Sequence, residues 1–184
     1  MKPLFLALAA AALAGPALAQ QVLPAQSEIA FVSRQMGVPV EGKFKQWSAQ
    51  IAFDPKNAAA GKVGFTIQTG SASFGSPETD AEVPKAPWFN VAKFPTATFA
   101  SSAIKPLGGG RFEVAGTLSI KGSSQPVVVP VTLTQAGATS TATGSFTIKR
   151  LDFKIGEGEW TDTSMVANDV TVKFKLALSG MAPL

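Results

Sequence analysis

Apolar and polar positions alternate along most of this chain with the period of a β-strand. Val63, Phe65 and Ile67 are interleaved with Gly64, Thr66 and Gln68, and Phe112, Val114, Leu118 and Ile120 recur at period two with Glu113, Thr117 and Lys121 opposite. The last such run is the clearest: Val170, Val172, Phe174, Leu176 and Leu178 face one way, Thr171, Lys173 and Lys175 the other. Further runs at 29–34, 43–53, 96–105, 127–133 and 142–149 bring the predicted total to about eight strands. Gly108 to Gly110, Lys121-Gly122-Ser123 and Gln135-Ala136-Gly137 mark turns, and such short spacing predicts antiparallel, up-and-down order.

Each strand has one apolar face, and no amphipathic helix is long enough to cover a sheet. Eight antiparallel strands then bury their apolar faces by closing into a barrel or by stacking as a sandwich. The barrel is favoured by the one long insert, residues 70–94, rich in proline, charge and aromatics, which suits a lid or plug better than a crossover. Within it, Thr79-Asp80-Ala81-Glu82 predicts a short helix capped by Thr79 or Asp80, kept short by Pro84 and Pro87.

The start of the chain breaks the pattern. Lys2, the apolar run Leu4 to Leu13 and the small residues of Ala17-Leu18-Ala19 have the form of a cleavable signal peptide over residues 1–19, too short to span a bilayer comfortably. The expected product is one domain, residues 20–184, exported and placed in the periplasm. No cysteine stands at the cleavage point to carry a lipid anchor. A domain of this size forms its core without disulfides.

Composition narrows the chemistry. The chain has no His, Cys or Tyr, which removes the usual ligands of zinc, copper and haem and the Ser-His-Asp and Cys-His nucleophiles. The formal net charge is +4, of which Lys2 supplies one, and no basic block suggests nucleic acid. Carboxylate chemistry survives, with Asp152 and Glu157 or Glu159 as the acid and base of a hydrolase or isomerase, but their spacing supports no specific site; no catalytic residue, metal or cofactor is expected.

Thirteen phenylalanines and three tryptophans concentrate on the apolar faces or in the insert, among them Phe31, Phe44, Phe65, Phe99, Phe146, Phe174, Trp88, Phe89 and Phe94. An eight-stranded barrel either fills its interior with such side chains or holds one slender apolar ligand. In the run Lys149-Arg150-Leu151-Asp152-Phe153, Arg150 and Asp152 are two apart on a strand and share a side. They fit a polar head group at a barrel mouth or, equally, a surface ion pair.

Four ordered segments carry a resemblance: SEIAFVSRQMGVPVEGKF at 27–44, PWFNVAKFPTATF at 87–99, GTLSIKGSSQPV at 116–127 and FTIKRLDFKIG at 146–156. Together they resemble the YceI-like family of lipocalin-like, polyisoprenoid-binding proteins, over nearly all of 27–178. The resemblance implies an all-β, eight-stranded antiparallel lipocalin-like barrel whose lumen holds an isoprenoid lipid, polyprenyl phosphate or quinone, with no catalytic residues. It implies an apolar lumen wall of Phe31, Phe44, Phe65, Ile67, Phe99, Leu118, Phe146, Phe153, Val172 and Phe174, paired aromatics Trp88 and Phe89 at the plug, and a polar head site at Asp80, Arg150 and Asp152. Family members commonly place histidines where this chain has Ser27 or Glu28, Gln35 or Met36, Glu82 and Lys121, and an arginine where it has Thr79. A head site built on those groups does not transfer. The alternative is a stress-related interaction module whose lumen is incidental, docking a membrane redox protein through the loop Gly156 to Trp160. A homodimer is compatible with the net charge.

Overall fold

A computed structural model describes residues 19–184 of the chain; the signal-peptide reading of 1–19 falls almost wholly outside them. The elements in order are β1 (Gln21–Val22), β2 (Glu28–Gln35), β3 (Val38–Phe44), β4 (Trp47–Ala52), β5 (Lys62–Gln68), β6 (Ala72–Ser73), α1 (Pro77–Glu82), β7 (Thr96–Gly108), β8 (Arg111–Ile120), β9 (Ser123–Ala136), β10 (Thr139–Lys149) and β11 (Asp169–Ser179). All pairings are antiparallel, in the order β4-β5-β7-β8-β9-β10-β11-β2-β3-β6, with β1 beside β11.

The ends of this sheet are brought together by the chain itself. β3 lies near one end and β4 at the other, yet only Lys45 and Gln46 separate them. At roughly 3.5 Å per extended residue that link is short, so the sheet must curl until its ends adjoin. At the opposite rim, Gln20 bridges Ile51 of β4 while Gln21 and Val22 pair with β11. Taking β3 and β4 as one bent strand and setting aside the two-residue β1 and β6, eight long strands make the wall. The expected run 43–53 thus begins earlier, at Val38, and bends at Lys45-Gln46 because the strand changes partners there.

Curling puts the alternating apolar positions inside. Ile51, Phe53, Ile104, Phe112, Val114, Val129, Leu133, Leu176 and Leu178 form the main buried cluster towards one end, and Ala97, Leu118, Ile120, Ile148 and Phe153 a second. On β7 the inward sequence passes from Phe99 to Ile104 because a bulge between Ser101 and Ala103 shifts the register. The insert forms α1 as expected, but its cap differs. Ser76 caps the helix, its Oγ accepting from the Thr79 N–H at 3.5 Å, and Pro77 occupies the first turn, where a missing N–H costs nothing.

Candidate functional site: the barrel lumen

Inside the wall runs an elongated cavity of about 460 Å³. One end is bounded by Phe53 and Phe112, packed edge to face with centroids 5.1 Å apart, and by Met181. Its other end lies beneath the β2–β3 hairpin, α1 and the loop following β10, where Gln35, Glu78, Glu82 and Trp160 contribute to the lining. Between them the wall is almost wholly apolar.

Of the residues expected to line the lumen, Phe31, Phe44, Phe65, Ile67, Trp88, Phe89, Phe99, Leu118, Phe146, Val172 and Phe174 do so. Phe153 does not. It is 2% exposed in the second core cluster, because residues 150–153 leave the strand and turn as a 3₁₀ helix. That turn also overturns the idea that Arg150 and Asp152 share a strand face. Sequence reasoning missed Phe53, Phe74 and Phe112; the alternation of Phe112 with Val114 was the available signal for the last.

The expected polar head site is not assembled. Asp152 is exposed and absent from the lining. Asp80 is absent from it as well: its carboxylate accepts from the Phe74 N–H at 2.6 Å and the Ser73 hydroxyl at 3.0 Å, anchoring α1 to β6. Arg150 reaches the lining but is 2% exposed and points no free donor into it. Its Nε donates to Ala167 O at 3.0 Å, one terminal nitrogen to Ile155 O at 2.8 Å and Gly156 O at 3.3 Å, and the other to Trp160 O at 2.6 Å and Val166 O at 2.7 Å. All five guanidinium N–H groups are engaged by main-chain carbonyls. Burial lowers the Arg150 pKa from its ordinary value. Arg150 is therefore the keystone of the loop that covers the mouth.

A second buried cation ties that loop to the insert. The Lys121 ammonium donates to Ala86 O at 2.9 Å, Lys154 O at 2.7 Å and the Glu157 carboxylate at 2.8 Å. Lys121 sits at positive φ in the two-residue turn Lys121-Gly122, which aims its side chain back under the loop. The Gly156 and Glu157 N–H groups both donate to Pro87 O at 2.8 Å, and Trp88 packs against Trp160 with centroids 5.3 Å apart and the rings tilted by 42°. Trp160 thus faces the insert, which removes it as the exposed docking side chain of the Gly156–Trp160 loop. Lys121 lowers the Glu157 pKa, first through the hydrogen bond and then through its charge. Glu157 is held by Lys121, and Asp152, Glu157 and Glu159 are all absent from the lumen lining, so the cavity does not bring together the acid and base considered from the sequence.

With this geometry, the match to known proteins is decisive: the profile of the YceI-like domain covers residues 21–178. The chain belongs to the YceI-like family. A "UPF0312 protein" of Enterobacter sp. is 40% identical over 96 residues, 52% of this chain and 50% of that protein. "Protein YceI" of Salmonella arizonae is 38% identical over 96 residues, again 52% and 50%. These alignments span about half the length of the curated relatives. Among solved structures, Burkholderia cenocepacia BcnA superposes with a TM-score of 0.83 at 47% identity, covering 85% of this chain and 99% of that one. A polyisoprenoid-binding domain from Saccharophagus degradans has a TM-score of 0.68 at 19% identity, covering 89% and 98%, and shares the fold. Of the positions where the resemblance led to histidine or arginine being expected, Gln35, Thr79 and Glu82 line the lumen, whereas Ser27, Glu28, Met36 and Lys121 do not.

Proposed function

We propose that this YceI-like protein binds a long isoprenoid-type lipid in its lumen and acts as a periplasmic carrier or holder of it. The observation that carries this reading is the continuous apolar cavity from the mouth to Phe53 and Phe112. The volume falls in the range of small-molecule sites, and the shape suits a chain rather than a disc. Burying a methylene contributes about 0.8 kcal/mol, so a five-carbon prenyl unit contributes roughly 3 to 4 kcal/mol before costs. Lost translation and rotation oppose binding by about 4 to 15 kcal/mol, so several buried units are needed. Tail length then governs affinity. The description of the Saccharophagus degradans fold relative as polyisoprenoid-binding supports the same ligand class, and the leader at 1–19 suggests the compartment.

The test is native mass spectrometry of the mature protein taken from the periplasm without detergent, followed by titration with prenols of graded length. A bound prenyl or long-tailed lipid, and affinity rising with each unit until the lumen is filled, are the expected results. Affinity independent of tail length would overturn lumen binding.

A further inference from the structure

We propose that the protein docks on a lipid bilayer through the tip of the β2–β3 hairpin and the segment beside it, so that the lumen mouth opens against the membrane surface. This rests on the lumen reading and adds the surface from which the lumen is filled. Six large apolar side chains are exposed among the described residues, and three of them, Met36 at 73%, Val38 at 63% and Met165 at 42%, stand together at the mouth. Backbone pairing holds them there. The Met36 N–H donates to Met165 O at 2.8 Å, the Ala167 N–H to Arg34 O at 2.9 Å, and Gln35 bridges Val166. Hairpin tip and loop therefore present one apolar edge. The turn itself does not call for it: Met36 and Gly37 have φ of +48° and +80°, a geometry that favours Asn, Asp or Gly at the first place.

This edge continues the lumen wall. Ser33 pairs with Val40 and Gln35 with Val38, and paired residues share a face. Ser33, Gln35 and Val40 line the lumen, so Val38 carries the inner face one step beyond the rim. On the neighbouring segment Val166 lines the lumen, and Met165 beside it is exposed. A prenyl tail passing between bilayer and lumen along this edge stays in apolar surroundings, whereas a route through water exposes every methylene. A specific protein partner needs about 1,000 Å² of buried surface, more than three side chains supply, but shallow insertion at an acyl boundary needs only the apolar tips. Arg34 adds a complementary charge. Its Nη1 donates to Gly37 O at 3.2 Å, which turns the guanidinium up beside the tip. Among the described residues no carboxylate stands within ion-pair distance of it, and Asp169, which borders the same outer groove, is paired with Lys149. Its remaining N–H groups suit the phosphate oxygens of lipid headgroups. Glu78 and Glu82 border the cavity from α1, so the rim carries both signs and the hold on the membrane comes mainly from the apolar side chains.

The chain has no cysteine, so Met36→Cys and, at the opposite rim near the β7–β8 turn, Leu107→Cys each give a single attachment point for an environment-sensitive fluorophore. With vesicles of phosphatidylethanolamine and phosphatidylglycerol, the probe at 36 should shift to the blue and the probe at 107 should not. In flotation with the same vesicles, the triple variant Met36→Ser, Val38→Thr, Met165→Ser is expected to lower partitioning about tenfold or more. Arg34→Gln should lower it about fivefold, a loss that disappears at high salt. All four side chains are exposed, so Tm and prenol affinity without vesicles should hold in these variants; that affinity reports on the lumen reading separately from docking. No shift at position 36, or equal shifts at 36 and 107, would overturn docking while prenol binding in solution keeps the lumen reading. A shift at 36 that needs no vesicles and grows with protein concentration would assign the edge to a second copy of the chain and likewise overturn the proposal.

Discussion

The ring of Phe174 lies directly over Gly144, its register partner on the neighbouring strand, so closely that a β-carbon on that glycine would overlap the ring edge. A ring lies over a glycine at two further places in the wall, at a register partner for Phe31 and diagonally for Phe99, whose register partner is Leu118. Phe31 covers its partner Gly42, with the ring tip 2.5 Å from where a β-carbon would stand, and Phe99 covers Gly116 at 2.6 Å. All three phenylalanines line the lumen. The missing side chains let the rings lie back against the sheet, so the cavity stays open between aromatic walls. Glycine here provides space on the inner face, since none of the three has a positive φ.

Gly144→Ala is therefore expected to push Phe174 into the lumen and to press the strand away from Pro130 O, which would stand 2.5 Å from the added β-carbon. Overpacking of this kind costs about 1–3 kcal/mol, visible as a lowered Tm, with weaker binding of long prenols in the same samples. Gly64→Ala is the control. The nearest atom to its added β-carbon is Phe99 O at 3.8 Å, so its Tm should hold. Equal losses in the two variants would refute the role given to the glycines.

The wall was legible in the sequence because period-two alternation maps directly onto inside and outside, as β11 shows from Val170 to Leu178. The bulge near Ser101 broke that parity on β7, which is why Ile104, five residues after Phe99, is read correctly only from the register. The site's polar end was not legible. Arg150 and Asp152 were spaced as strand neighbours, but the chain turns into a 3₁₀ helix there, and a buried cation satisfied by carbonyls leaves no charged partner in the sequence to betray it. Asp80 looked like a head-group or capping acid, and only tertiary contact shows it holding β6.

Replacing Arg150 should show how much that keystone contributes. Arg150→Met strands five carbonyl acceptors beneath the loop, and loss of a buried, fully hydrogen-bonded charged group is expected to cost about 3–5 kcal/mol. Arg150→Lys restores the charge with fewer, differently placed donors and should recover only part of it. Urea unfolding followed through Trp160 checks both. A loss under about 1 kcal/mol for Arg150→Met would mean the loop is held by other contacts.

The latch between Lys121 and Glu157 has a defined pH signature. The folded pKa of Glu157 is depressed, so its contribution is full above the ordinary carboxylate range and is lost as pH falls through the folded value. With the Glu157 side chain 51% exposed, the effect is small beside global acid unfolding. It is best read locally, as faster amide exchange at Gly156 and Glu157 on acidification. Glu157→Gln should show that faster exchange already at neutral pH and lose the acid dependence. An unchanged pH profile in that variant would assign the effect to another group.

Blocking the lumen part-way offers a test of depth rather than of presence. Ala142 lines the cavity from β10 and pairs with Leu133 and Leu176, on the side of the lumen towards Phe53 and Phe112. A ring at that position projects into the cavity, so Ala142→Phe should fold with a cost of about 1–3 kcal/mol or less. Short prenols that occupy only the mouth half should bind it as they bind the original protein. Longer ones should gain nothing from their extra units, because those units remain in water and forfeit the roughly 0.8 kcal/mol per methylene that burial supplies. A plot of affinity against tail length should then rise and level off early in the variant, while continuing to rise in the original. Parallel curves would mean that the tail does not pass Ala142, and that the ligand enters by another route or lies elsewhere on the barrel.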